Sequence, residues 1–104
     1  MPVPAPERPP SDMVVHLKAI GDLRDYIGKE PQAVELREGA TLADLLVAID
    51  EHWGKVFPRY LWDVSQRQFR GSVFFLINQE VVKDMRTPLQ DGLRIDLLKP
   101  IVGG

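Results

Sequence analysis

The stretch TLADLLVAIDEHW, residues 41–53, carries the strongest local pattern in the sequence and decides the fold. Its apolar residues recur at the spacing of one helix face: Leu42, Leu45, Leu46, Ile49 and Trp53. Thr41 can cap the helix and Asp44 can answer that cap, while Gly54 suits a C-terminal stop. The pattern predicts a helix from Leu42 to Trp53 whose apolar face needs a second layer to pack against.

Alternating segments ahead of the helix predict that this second layer is a sheet. Residues 13–20 divide into two faces, with Val15, Leu17 and Ala19 on the inner one and His16 and Lys18 on the outer one. Residues 33–37 turn Val34 and Leu36 inward and suit the second strand of a pair. The two segments therefore predict a hairpin.

Further strands are predicted after the helix. Residues 72–78, SVFFLIN, are apolar on both faces, which is typical of a central strand. Asn78-Gln79 is a candidate turn, and Val81-Val82 can begin a short return strand. Asp91-Gly92 is a tight-turn signal ahead of a last strand over residues 93–97.

This order of elements predicts the fold class. A mixed sheet of about four to five strands, with one main helix on one face, is the economical way to bury such apolar stripes. A right-handed crossover would set the last or the middle strand parallel to the first. The predicted class is therefore α+β, with the β-grasp arrangement of ubiquitin-like folds.

The remaining segments divide the chain. Residues 1–12 predict a disordered Pro-rich arm, because five of the first ten residues are proline. A docking ligand for a proline-recognising module is the functional alternative for the arm. Residues 13–98 would form the β-grasp domain and residues 99–104 a flexible tail. Inside the domain, we expect a loop from Leu23 to Pro31 and a short helical turn at Tyr60–Trp62.

Composition excludes several function classes. The chain has 104 residues, a formal net charge of -2 and no cysteine. The charge argues against nucleic acid as the main partner. The lack of thiols excludes a disulfide scaffold, a thiolate metal site and a cysteine nucleophile. We find no phosphate-binding loop, no zinc-protease motif and no run of roughly 20 apolar residues that would span a membrane.

Metal binding and catalysis by this chain alone are not expected. His16 and His52 lie on different predicted elements, and neither has a second ligand at metal spacing. The acids Asp44, Asp50 and Glu51 share one helix, where a solvated face explains them. We expect no bound cofactor, no metal and a protein that is not itself an enzyme.

The sequence ends in Gly103-Gly104. Without side chains, such an end can thread a narrow cleft that any Cβ would block. From Lys99, six residues reach at most about 20 Å, enough to carry the last carbonyl into another protein's active site. The alternative is an end without function.

Several segments resemble the MoaD/ThiS family, the ubiquitin-like sulfur carriers of molybdopterin and thiamine biosynthesis. They are EGATLADLL (38–46), FFLINQEVV (74–82), TPLQDG (87–92) and LKPIVGG (98–104). AIGDLRDYIG (19–28) also resembles the first loop of the molybdopterin branch. Their order, together with the terminal glycine pair, carries the resemblance over nearly the whole chain outside the arm.

The resemblance implies a cytoplasmic protein that is used as a reagent. A ubiquitin-activating-type adenylyltransferase would adenylylate Gly104 with ATP and magnesium, and Gly103 would give a slim approach. The product would be a thiocarboxylate at Gly104, which a sulfur-accepting synthase subunit would use. The length of the chain favours the molybdopterin-like branch, although the tail carries Lys99, Ile101 and Val102 where smaller residues are usual in that branch.

The sheet face away from the helix is the candidate docking surface, and it should carry His16, Lys18, Phe74, Leu76 and Leu98. Exposed apolar side chains there would mark a partner surface, unless the arm or residues 55–70 cover them. The predicted partner interface consists of Phe74, Leu76, Leu98, Lys99, Pro100, Ile101 and Val102. Scattered cations could steer an acidic partner groove, namely Arg37, Lys83, Arg86 and Arg94.

Two other classes stay open at this point. In one, the chain is a protein modifier joined to lysines of target proteins through Gly104. In the other, it is a β-grasp binding module with an idle tail. Neither class predicts nucleic-acid or membrane binding.

Overall fold

The computed structural model describes residues 12–99, which form a five-stranded mixed sheet with one main helix on one face. Strands β1 and β2 span Asp12–Ile20 and Gln32–Arg37. After the helix, β3 at Trp62–Asp63 and β4 at Gln68–Phe69 form a separate small hairpin. The strands β5, β6 and β7 then span Phe74–Ile77, Glu80–Val82 and Arg94–Leu98. The spatial order is β2-β1-β7-β5-β6, and the predicted α+β class with a β-grasp arrangement is confirmed.

The sheet topology places the last strand in the middle. β1 pairs antiparallel with β2 and parallel with β7, so the predicted hairpin and the predicted parallel crossover are both present. β5 pairs antiparallel with β7 and with β6. The strand predicted to be central is thus an interior strand, and β7 takes the central place.

The main helix, α2, spans Leu42–Trp53 as predicted. The Asp44 carboxylate accepts a hydrogen bond from the Thr41 backbone N–H at 2.9 Å, which satisfies a donor that the first helical turn leaves open. The buried side chains of the helix are Leu42, Leu45, Ala48 and Ile49. They pack against the inner side chains of the sheet, among them Val15, Leu17, Val34, Ile95 and Leu97, in one apolar core.

The loop predicted over residues 23–31 is wrong in its first half. A 3-10 turn at Gly21–Leu23 leads into a one-turn helix, α1, at Arg24–Ile27. Leu23 and Ile27 are buried, at 0% and 4% exposure, and this burial stabilises a helix too short to show a sequence period. Gly28 ends α1 with a φ of +115°, which a residue with a Cβ rarely adopts.

The predicted helical turn at Tyr60–Trp62 is present only as a hydrogen-bonded turn. The backbone N–H groups of Leu61 and Trp62 both donate to the Pro58 carbonyl. The chain then forms a small hairpin, with β3 at Trp62–Asp63 and β4 at Gln68–Phe69. Trp62, with 1% of its surface exposed, anchors this hairpin in the core.

An aromatic cluster joins the hairpin to the body of the domain. The Trp62 and Phe69 rings meet edge to face at 4.8 Å between centroids, and Phe57 lies 5.5 Å from each. Tyr26 contacts Phe57 edge-on at 5.9 Å. Offset and edge-to-face pairs of this kind contribute about 0.5–1.5 kcal/mol each beyond burial, so residues 55–70 are an integral layer of the fold.

The predicted turns are confirmed. Asn78 and Gln79 both have positive φ, +54° and +68°, as a two-residue hairpin turn between β5 and β6 requires. Gly92 has a φ of +82°, and the adjacent Asp91 carboxylate accepts a hydrogen bond from the Val14 N–H at 2.8 Å. This bond fixes the start of β7 against β1.

Candidate functional site

The ladder between β7 and its neighbours gathers the predicted docking residues on one face. Phe74 lies opposite Leu98, and Ile20 lies opposite Leu98 on its other side. Leu76 lies opposite Val81, which is 48% exposed. We call these five half-buried or exposed side chains, which face away from α2, the outer apolar patch.

The polar residues predicted for this face are also on it. His16 lies opposite Arg94, and Lys18 lies opposite Asp96. Asp96 in turn lies opposite Leu76 on its other side, so this acid stands between a lysine and a leucine. The outer face is therefore half apolar and half charged, and the apolar patch reaches the end of β7 where the tail begins.

The first tail residue, Lys99, contacts an aromatic ring. Its Nζ atom lies 5.7 Å from the centroid of the Tyr60 ring, within the range of a cation–π interaction. The Tyr60 hydroxyl forms a 3.2 Å hydrogen bond with that of Tyr26. That hydrogen bond, with burial and nearby negative charge, raises the pKa of Tyr26. Tyr60, which lies just before the β3–β4 hairpin, thus contacts the root of the tail.

The predicted reacting residues lie outside the described part of the chain. These are Gly103 and Gly104, and with them Pro100, Ile101 and Val102. Of the predicted arm over residues 1–12, residues 1–11 are outside it as well, whereas Asp12 is the first residue of β1.

The four cations proposed to steer a partner do not gather. Arg37 lies opposite Asp12, at the far end of β1 from the tail. Arg86 pairs with its own neighbour Asp84 at 3.2 Å. Arg94, the first residue of β7, lies on the outer face and lines a groove with Lys18, Arg24 and Lys29. Sequence patterns missed Arg24 and Lys29 because they belong to the segment read as a loop.

The described part of the chain offers few side chains arranged for metal binding or membrane insertion. No cluster of three or more histidine, cysteine, aspartate or glutamate side chains within residues 12–99 could hold a metal ion. No helix among the same residues is long and apolar enough to cross a membrane. What the geometry does supply is an apolar surface at the end of β7, beside Lys99.

A five-stranded β-grasp domain with one main helix is the fold of the ubiquitin-like proteins. Its family is given by the sequence, since the model of the ThiS family matches residues 17–104. The chain belongs to the ThiS family. None of the curated protein sequences matches it significantly.

Solved structures agree on the fold. SAMP1, a small archaeal modifier protein from Haloferax volcanii, superposes with a TM-score of 0.70 at 22% identity, covering 88% of this chain and 99% of that one. A putative molybdopterin converting factor subunit 1 from Pyrococcus furiosus gives 0.65 at 24% identity, covering 86% and 99%. Urm1 from Trypanosoma brucei gives 0.62 at 18% identity, covering 89% and 97%.

Proposed function

We propose that this protein is a sulfur carrier that works through a thiocarboxylate at Gly104. One observation carries the proposal: the ThiS-family match continues past the last strand and includes Gly103 and Gly104. The sulfur would be donated in the biosynthesis of a molybdopterin-like or related cofactor, and the work would take place in the cytoplasm.

The chemistry requires activation by a partner. A chain-terminal carboxyl has a reference pKa of about 3.3–3.7, so at neutral pH it is ionised and a poor electrophile. The Gly104 carboxylate would attack the α-phosphorus of ATP, with magnesium held by the activating enzyme, and pyrophosphate would leave. Sulfide would then add to the carbonyl of the acyl adenylate. The bond to the AMP oxygen would break, AMP would leave with the electron pair, and the thiocarboxylate would form.

The outer apolar patch would be the surface that the partner contacts. Phe74, Leu76 and Leu98 form one apolar surface beside the root of the tail. An apolar centre with a charged rim is typical of a transient protein interface. From that surface, the residues from Lys99 to Gly104 reach at most about 20 Å, so an enzyme docked there could receive the glycine end in its cleft. A ubiquitin-activating-type adenylyltransferase and a sulfur-accepting synthase subunit would use this surface in turn.

Intact-mass measurement tests the proposal. The full chain is incubated with its cognate activating enzyme, ATP, magnesium and sulfide. We expect the mass to rise by one oxygen-to-sulfur exchange, localised to Gly104 by fragmentation. Deletion of Gly104, or one alanine added after it, should abolish the gain while circular dichroism and unfolding stay unchanged. An unchanged mass with an enzyme that visibly consumes ATP on the intact chain would refute the proposal.

A protein modifier is the second candidate, favoured by the likeness to SAMP1, which is named a modifier protein. Activation would be the same, but the adenylate would be consumed by lysine amines of target proteins. Immunoblots of cells that express tagged protein would show higher-mass species that vanish on Gly104 deletion. A binding module with an idle tail would instead keep its full function after removal of both glycines.

A further inference from the structure

Tyr60 is a large aromatic residue that the fold leaves 68% exposed. The backbone on either side of it is nevertheless fixed, because Phe57 and Leu61 are buried at 6% and 2% exposure. The N–H groups of Leu61 and Trp62 both donate to the Pro58 carbonyl, which closes a turn around Tyr60. An exposed ring on a fixed backbone is well placed to hold another group at the surface.

The ring of Tyr60 is held by a second tyrosine. Its hydroxyl forms a 3.2 Å hydrogen bond with the hydroxyl of Tyr26. The Tyr26 ring in turn packs edge-on against the buried Phe57, with 5.9 Å between centroids. A side chain that is already restrained in this way loses less conformational freedom when it makes a further contact.

That further contact is with Lys99, whose Nζ atom lies 5.7 Å from the centroid of the Tyr60 ring. Within residues 12–99, Lys99 forms no ion pair with an acid. Lys99 directly follows Leu98, the last residue of β7, so the contact is made where the tail leaves the sheet. A cation–π interaction at an exposed site is worth roughly two- to fivefold in an equilibrium constant.

We propose that Tyr60, hydrogen-bonded to Tyr26, is a positioning residue that holds Lys99 and thereby sets the direction in which the tail leaves β7. This rests on the proposed function, because the direction matters only if Gly104 must enter an active site. The six residues from Lys99 to Gly104 reach at most about 20 Å, so a change of direction at the first one displaces the last. A tail that already points the right way costs less entropy to bind.

Charge is the rival explanation for the position of Lys99. Asp25 and Asp22 are close enough to Tyr26 to help raise the pKa of its hydroxyl, so these acids could also attract the lysine. NMR spectra of the full chain separate the two causes, because the face of an aromatic ring shifts nearby methylene protons upfield. We expect Tyr60→Leu to abolish the upfield shift of the Lys99 methylenes and Asp22→Asn/Asp25→Asn to leave it. The opposite result would assign Lys99 to the acids and overturn the proposal.

The effect on activation is measured as the KM for the full chain in ATP–pyrophosphate exchange by the cognate enzyme. Tyr60→Leu and Lys99→Met should each raise KM roughly two- to fivefold with kcat unchanged, because the tail must then be ordered on binding. Lys99→Arg keeps a cation for the ring and should stay within about twofold of the unaltered chain. Arg59→Met removes the same charge from the exposed residue beside Tyr60, and this control should have no effect.

The double variant Tyr60→Leu/Lys99→Met distinguishes positioning from direct contact with the enzyme. Two residues that act through one shared contact are not additive, so the double variant should raise KM no further than either single variant. If the two effects multiply, or if Arg59→Met raises KM equally, the proposal is wrong while the proposed function stands. If the unaltered chain supports no exchange, the proposed function itself is refuted.

Discussion

The hydrogen bond between Trp62 and Asp50 offers the sharpest test of how the hairpin over residues 62–69 is held. The indole Nε1–H donates to the Asp50 carboxylate at 2.8 Å, and the Trp62 side chain is 1% exposed. The same carboxylate lies 3.5 Å from Arg67 of the hairpin, whose side chain is 57% exposed. Asp50→Ala removes the carboxylate, so Trp62 loses its hydrogen-bond acceptor and Arg67 loses its ion-pair partner.

The expected loss follows from burial. A hydrogen bond to a charged group contributes about 1.5–3 kcal/mol to stability. Leaving a buried indole N–H without an acceptor costs a similar amount, about 1–3 kcal/mol. The exposed ion pair with Arg67 adds less than about 0.5 kcal/mol. Alanine in place of aspartate returns about 0.5 kcal/mol of helix propensity. The net change is a loss of about 2 kcal/mol in the free energy of unfolding, or roughly 10 °C in Tm for a domain of this size.

Urea unfolding measures this change, and Glu51→Ala is the matched control. Glu51 is the adjacent acid on the same helix and is exposed, so its loss should cost less than about 0.5 kcal/mol. The coupling is isolated by repeating Asp50→Ala in a Trp62→Phe background, where the donor is already gone. There the loss should shrink by more than about 1 kcal/mol. If Asp50→Ala matched its control, or cost the same in both backgrounds, the hydrogen bond would not be what holds the hairpin.

Three further changes probe other parts of the fold. Gln79→Gly should raise the free energy of unfolding by up to about 1 kcal/mol, and with it the urea midpoint, because Gln79 has a φ of +68°. A lower midpoint would contradict the turn geometry. Hydrogen bonds from Ser65 and from the Gln66 N–H lower the pKa of Asp63, so the stability they give is present above pH 3.8 and lost as the pH falls through the lower folded pKa. Asp63→Asn should therefore flatten the acid limb of unfolding free energy against pH, and an unchanged limb would exclude this linkage. Leu76→Asp should weaken binding of the activating enzyme at least tenfold by titration calorimetry while the protein stays folded, and unaltered affinity would exclude the patch as the docking surface.

The sheet and α2 could be predicted from sequence because their signals are local. Alternation in residues 13–20 and the spacing from Leu42 to Trp53 report directly which side chains are buried. The same alternation placed Phe74, Leu76 and Leu98 on one face, and the strand register confirms that grouping. The apolar half of the candidate site was therefore predictable without coordinates.

The segments that sequence missed depend on distant contacts. The one-turn helix Arg24–Ile27 is too short to show a period, and it is held by burial of Leu23 and Ile27 in the core. The β3–β4 hairpin has strands of two residues each, and Trp62 fixes it through contacts with Phe57 and Phe69. Such short elements are decided by tertiary packing, which no local pattern reports.

The surroundings of Leu98 and Lys99 follow from the topology once that packing is known. β1 and β7 are parallel neighbours, so their C-terminal residues lie at the same end of the sheet, where Ile20 pairs with Leu98. The chain that follows β1 must consequently lie beside the chain that follows β7, which is the tail. Charges in residues 21–29 therefore act at the root of the tail, whereas charges near Gly92 lie at the opposite end of β7. The parallel pairing thus places Arg24 and Lys29, together with Asp22 and Asp25, at the same end of the sheet as Leu98.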